Sequence, residues 1–205
     1  MGFIARLKSF LGRDTPQKRE LKGGRPVFWK RGDYTLKNSE LLFSAVSRIS
    51  NALSAMPVQL YSGSAPLRDD LNDILSFSPN PNMTSCQFFK TMEACRDTAG
   101  NAYALKAYAP DGRLERIDVL DPQRVRPVLD TDSGELWYRI TPENGEEMLV
   151  HSYHVLHVPF ISVNGYTGVN PVSVLQDTLD YSENIQSFSV EQLKQGVNAK
   201  AVMEA

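Results

Sequence analysis

The stretch LSFSPNPNMTSCQFF, residues 75–89, sets Pro79, Asn80, Pro81 and Asn82 between two apolar runs. Its right-hand end carries a helix start. Thr84 followed three residues later by Gln87 is a capping box, and Met83 and Phe88 stand where the matching hydrophobic staple needs them. The prolines push the residues before them away from helical angles, so the preceding helix has to stop near Phe77. The segment reads as a rigid corner between two helices.

Upstream, Leu42, Val46, Ile49, Leu53 and Met56 recur at four and three residues. That spacing predicts an amphipathic helix capped by Asn38 or Ser39 and stopped at Pro57. VQLY (58–61) reads as a short strand, and Leu67, Leu71, Ile74 and Leu75 as a shorter helix entering the corner. Downstream, Phe88, Met92, Cys95 and Ala99 mark one face of the capped helix, which Gly100-Asn101 ends. The pattern then changes to strand-like runs with turns at Pro110-Asp111-Gly112, Ser133-Gly134 and Asn144-Gly145, an antiparallel meander. Finally Asn170 caps and Pro171 opens a helix running to about Gln195, which at ~1.5 Å per residue is close to 37 Å long. Helices, then a meander, then a long helix predict an α+β fold.

With 41% hydrophobic and 22% charged residues, the 205-residue chain has the composition of an ordinary globular protein. Its length suits one sizeable domain with an appendage. No apolar run approaches the ~20 residues of a membrane-spanning helix. The opening MGFIARLKSFLGR is too short and too charged for a secretory signal, and Arg6 stands where myristoylation of Gly2 needs Ser or Thr. Cys86 and Cys95 alone make no disulfide framework, so a reducing compartment is expected.

The net charge of -2 conceals an asymmetry. Residues 1–37 carry ten Lys or Arg against Asp14, Glu20 and Asp33, a balance of +7 that leaves -9 for the rest. A basic arm on an acidic body points to two kinds of partner, although a solvated terminus has the same composition. Within the arm, Phe3, Ile4, Leu7, Phe10 and Leu11 share one side of a short helix. That helix fits docking on a neighbouring subunit or, less well, a membrane surface.

All three histidines fall in HSYHVLH (151–157). On one strand His151 and His157 point one way and His154 the other, so they do not converge on one ion. GYTGVNP (165–171) places two glycines before a helix N-terminus but lacks the Lys-Ser/Thr of a P-loop, and reads as a turn and cap. Asp69, Asp70 and Asp73 read as a solvated helix face. With no nucleophile elbow and no HExxH, no catalytic, cofactor-binding or metal-ligating residue is assigned.

Several segments, in order, resemble the portal proteins of tailed double-stranded DNA bacteriophages. AVSRISNALSAMPVQLY (45–61) is similar to that family's first helix and its proline-strand ending. LNDILSFSPNPNMTSCQFF (71–89) resembles its helix, Pro-Asn-Pro corner and Met-Thr helix start. GNAYALKAYAPDGRLERIDVLDPQRVRP (100–127), VLHVPF (155–160) and GYTGVNPVSVLQDTL (165–179) look like its Gly-Asn-Ala-Tyr strand, His-bearing strand and long-helix entry. The resemblance covers roughly Leu41 to Glu204 and implies 38–205 as the wing domain, following the basic N-terminal arm, residues 1–37, that the charge pattern marks out. Portal chains are about twice as long, so the stem, clip and crown have no counterpart here.

The resemblance implies a structural, non-enzymatic subunit without cofactors in a ring, usually a dodecamer, at one vertex of the virion capsid, assembled in the host cytoplasm. Double-stranded DNA is packaged and ejected through such a ring. The expected partners are further copies of the chain, terminase, a head-tail adaptor, the major capsid or scaffold protein and the passing DNA, with no membrane. An acidic body suits that role, because Lys and Arg contacts would hold phosphates that have to slide. The alternative is a DNA- or capsid-binding accessory protein acting through the basic arm. A hydrolase built on Asp and His around 151–157 ranks last, for want of a nucleophile.

Overall fold

The computed structural model describes residues 35–142 and 145–195. The predicted Phe3–Leu11 helix, nearly all of the basic arm, Asn144 of the third turn and the residues after Gln195 lie outside them.

Helix α1 (Glu40–Ser54) starts at Ser39, whose hydroxyl accepts from Leu42 N–H; the Asn38 side chain instead accepts from Thr35 N–H at 2.7 Å. Its buried residues are Leu42, Val46 and Ser50, while Ile49 and Met56, both expected inside, are 49% and 60% exposed. The predicted VQLY strand is displaced. Only Tyr61 of it is paired, in a two-residue hairpin of β1 (Tyr61–Ser62) with β2 (Ala65–Pro66). Leu60 N–H is taken by the Asn72 side chain at 3.0 Å and Val58 C=O by the Ser76 hydroxyl at 2.6 Å, bonds to helix α2 (Asp70–Ser76) rather than to a strand. Asp69 caps α2, so Leu67 lies before the helix.

The corner has the predicted chemistry. Helix α3 (Ser85–Ala99) begins at Thr84 with both halves of the capping box present, and Gly100 in the left-handed conformation ends it. Pro79 C=O accepts from Ile117 N–H at 2.7 Å, and the buried Asn80 side chain donates to Ile117 C=O at 2.9 Å. The corner thus satisfies both backbone groups of one residue on an outer strand, which would otherwise be an open edge.

The strands form two antiparallel three-stranded sheets. One orders β4 (Leu114–Leu120), β3 (Asn101–Tyr108) and β8 (Val155–Pro159); the other orders β5 (Val125–Leu129), β6 (Leu136–Ile140) and β7 (Met148–His151). The expected single meander is thus split in two: only the second sheet keeps consecutive strands side by side throughout, with Pro127 on its outer strand β5, where a missing N–H is tolerated. The first is closed by β8, which returns from far along the chain to pair with β3. Two 3-10 turns carry the chain between the sheets, Pro122–Arg124 outward and Ser152–His154 back. Each is opened by a side-chain cap, Asp121 on Gln123 N–H and His151 on Tyr153 N–H. HSYHVLH is therefore strand, turn and strand, not the single strand expected.

β3 is buried on both faces. Tyr103 and Leu105 join Tyr138, Ile140, Val150 and Val155 between the sheets, while Ala102 and Ala104 lie under Phe88 and Met92 of α3. Alanines there let the helix approach the sheet closely. A third cluster, Leu42, Val46, Val172 and Leu179, joins α1 to the long helix α4 (Pro171–Gln195).

Candidate assembly surface

The loop from β8 to α4 is held by a polar junction. Asn101 Oδ1 accepts from Gly168 N–H at 2.7 Å and lies 3.0 Å from His157 Nε2, while Asn101 Nδ2 donates to Gly168 C=O at 3.0 Å. A carbonyl oxygen only accepts, so His157 carries its proton on Nε2 and its Nδ1 accepts from the Tyr138 hydroxyl at 3.0 Å. The imidazole stacks on Tyr103 with ring centroids 4.3 Å apart, and burial holds its pKa down at about 4. Burial likewise pushes Tyr138 up to about 12, keeping it a donor. The junction ties both sheets to the loop.

Backbone proximity completes it. Phe160 N–H donates to Gly100 C=O at 2.8 Å, and a Cβ on Gly168 would overlap the Gly100 carbonyl and lie 2.6 Å from Phe160 N. Arg96 lies over the Phe160 ring, 5.0 Å from its centroid, and is bonded to Glu93. Glu93 and Asp97 are both buried, and burial followed by the Glu93 charge raises the Asp97 pKa against the lowering by Arg96. Asn170 Oδ1 then accepts from Val172 N–H at 2.9 Å and caps α4 beside the predicted Pro171.

From this anchored end α4 leaves the body. Val172 and Leu179 are buried, whereas every residue from Tyr181 to Lys194 is exposed. At ~100° per residue, Val174, Tyr181, Ile185 and Phe188 fall within about 60° of one another, opposite Val172 and Leu179. An apolar stripe on the side of a helix turned away from its own core marks an interaction surface.

The other candidates separate. His151 packs edge-on against Trp137 and His154 against Tyr108 and Tyr153, so the three histidines sit in three different settings. Among the described residues no group of three or more His, Cys, Asp or Glu is placed to hold a metal ion. No described helix is long and apolar enough to cross a membrane. Asp69 is a helix cap and Asp70 pairs with Arg113 at 3.4 Å, both at the surface. Sequence reasoning missed Asn101 and the buried Glu93 and Asp97; two polar residues four apart on the inner face of a helix were the available signal for the latter.

The fold is similar to solved chains described as the neck of an empty GTA particle computed with C6 symmetry and the neck of a native GTA particle computed with C12 symmetry. Each is 18% identical over 79% of this chain, with TM-scores of 0.63 and 0.60 and 47% and 46% of those chains covered. A chain from the virion of a native gene transfer agent particle is 19% identical, with TM-score 0.60, over 79% of this chain and 42% of its own. This chain thus spans less than half the length of each. Among curated proteins none matches. The sequence profile described as phage portal protein matches residues 40–205, and the chain belongs to that family.

Proposed function

We infer that the chain is the wing part of a portal subunit, residues 38–205, preceded by a basic arm over residues 1–37. It serves as a structural element of a ring through which double-stranded DNA enters and leaves a capsid. The observation that carries this reading is the family match over residues 40–205. The C6 and C12 symmetry with which the similar neck structures were computed supports assembly with further copies of itself. In this reading the chain resides in the virion at the portal vertex after assembly in the host cytoplasm, and meets terminase, adaptor and capsid or scaffold protein there. It carries out no chemistry itself.

Sedimentation velocity over a wide concentration range tests it. The expected result is reversible, concentration-dependent association, because stable interfaces need ~1,600 Å² in total and the chain spans less than half of its relatives. A chain that stays monomeric at every concentration would contradict the reading. Salt-sensitive duplex DNA binding, lost on deleting residues 1–37, would favour the accessory-protein alternative, which the +7 arm motivates.

A further inference from the structure

We propose that the outward stripe of α4 seats on an outward stripe of α1 in a second copy of the chain, so that subunits join head to tail. This rests on the ring reading above and names the surfaces that would make the contact.

Among the described residues, two apolar stripes lie exposed on two different helices. On α4 the stripe is Val174, Thr178, Tyr181, Ile185 and Phe188, all exposed, with Tyr181 at 68% and Phe188 at 62%. On α1 and the turn that ends it, Leu41, Ala45, Ile49, Ala52 and Met56 are also all exposed, beside the Leu42, Val46 and Ser50 face that packs inward. Both stripes follow spacings of three and four residues, the period at which one helix meets another along a seam.

Their sizes are complementary. Tyr181 and Phe188 are seven residues apart, and so are Ala45 and Ala52. At ~1.5 Å per residue each pair is separated by about 10 Å along its helix. Two rings on one helix therefore match two small positions on the other, knobs facing holes, with Ile49 and Ile185 between them. At 150–250 Å² per aromatic side chain, the exposed parts of the two rings alone bring roughly 250 Å², about a third of the ~800 Å² each partner gives to a standard interface.

A second copy is the fitting occupant because one chain supplies both halves of the match. Two different patches on one molecule make a heterologous contact, the kind that closes into a ring when the rotation between subunits allows it. After one contact each subunit keeps one free stripe and the pair together keeps one of each kind, so association continues beyond two copies.

The test uses the full 205-residue chain and two variants, Tyr181→Glu with Phe188→Glu, and Ala45→Glu with Ala52→Glu. All four positions are exposed, and circular dichroism checks that each variant folds. Wild type is expected to associate with rising concentration, and each variant alone to associate at least about tenfold more weakly. An equal mixture of the two variants is expected to form dimers and nothing larger, since it holds one intact stripe of each kind. If wild type associates and the variants do so equally well, the stripe pairing is wrong while the ring reading stands. If the alanine-site variant still dimerises by itself, α4 pairs with α4 and the pairing is again overturned. A monomeric wild type would overturn both readings.

Discussion

Protonation of His157 should unlock the junction below α4, and its effect on stability has a definite sign. In the folded chain burial holds the imidazole at about 4, against an ordinary value of 6.5. Between those values the unfolded chain binds a proton that the folded chain refuses, so stability falls as the pH falls. The contribution is fully present above pH 6.5 and is lost on the way down to about pH 4. A displacement of that size corresponds to about 3 kcal/mol as a ceiling, and the half-buried ring, screened by solvent, should show about 1–2 kcal/mol.

Urea denaturation of wild type and His157→Gln across that range measures it. Glutamine keeps an N–H in place of Nε2 for Asn101 but does not titrate. At neutral pH the variant should be about 1–2 kcal/mol less stable, having lost the Tyr138 bond and the stack on Tyr103. Titration of His154 and of the carboxylates is common to both proteins and cancels in the difference. The gap should therefore close towards about pH 4. A gap that stays constant over the whole range would refute a neutral, buried His157.

The remaining predictions concern single contacts. Thr84→Ala removes the cap of α3 and should cost ~1 kcal/mol in chemical denaturation; an unchanged midpoint would show that the capping box contributes nothing. Gly168→Ala forces a methyl against the Gly100 carbonyl and the Phe160 amide, for a loss of about 2–4 kcal/mol from crowding and a broken hydrogen bond. A loss below about 0.5 kcal/mol would mean that the loop yields freely. Asp97 has a raised folded pKa, so its ionised form is disfavoured and stability falls as pH rises from the ordinary carboxylate value through the folded one. Asp97→Asn should accordingly raise the unfolding free energy measured in urea slightly at neutral pH, by under about 1 kcal/mol, with the gain vanishing in acid.

What the sequence made legible were signals contained within a few residues. The Thr84–Gln87 box, the Gly100 stop, the Asn170-Pro171 start and the turns at Gly112 and Gly134 each depend on local hydrogen bonds or local dihedral limits, and each stands where expected. Pairings distant in sequence were not legible. Nothing in VLHVP (155–159) says that it will lie beside Asn101–Leu105, and without that pairing His157 and Asn101 remain unrelated. Ile49 failed for a related reason. Periodicity identifies an apolar arc, but the neighbouring helices decide how much of that arc is covered, and α3 and α4 leave only Leu42, Val46 and Ser50 of α1 buried.

The junction and the exposed helix belong to one mechanical argument. α4 spans 25 residues; among those described its last buried residue is Leu179, and Tyr181 to Lys194 are all exposed. Its direction is therefore set at its first turns. At ~1.5 Å per residue the helix is about 37 Å long, so a tilt of about 10° at the anchored end moves the far end by roughly 6 Å, more than one helical turn. Phe188, lying about 26 Å along the helix from Pro171, would move by about 4 Å with the same tilt, enough to unseat its ring from a hole on a partner helix. The loop before α4 is held by a paired side-chain amide, a backbone bond at 2.8 Å, a glycine without room for a methyl, and Arg96 over Phe160. Weakening the junction should hence loosen assembly before it unfolds the subunit. Asn101→Ala, with both stripes untouched, should reduce association in sedimentation at temperatures where circular dichroism still reports a folded chain. Equal association of Asn101→Ala and wild type would show that the aim of α4 does not depend on the junction.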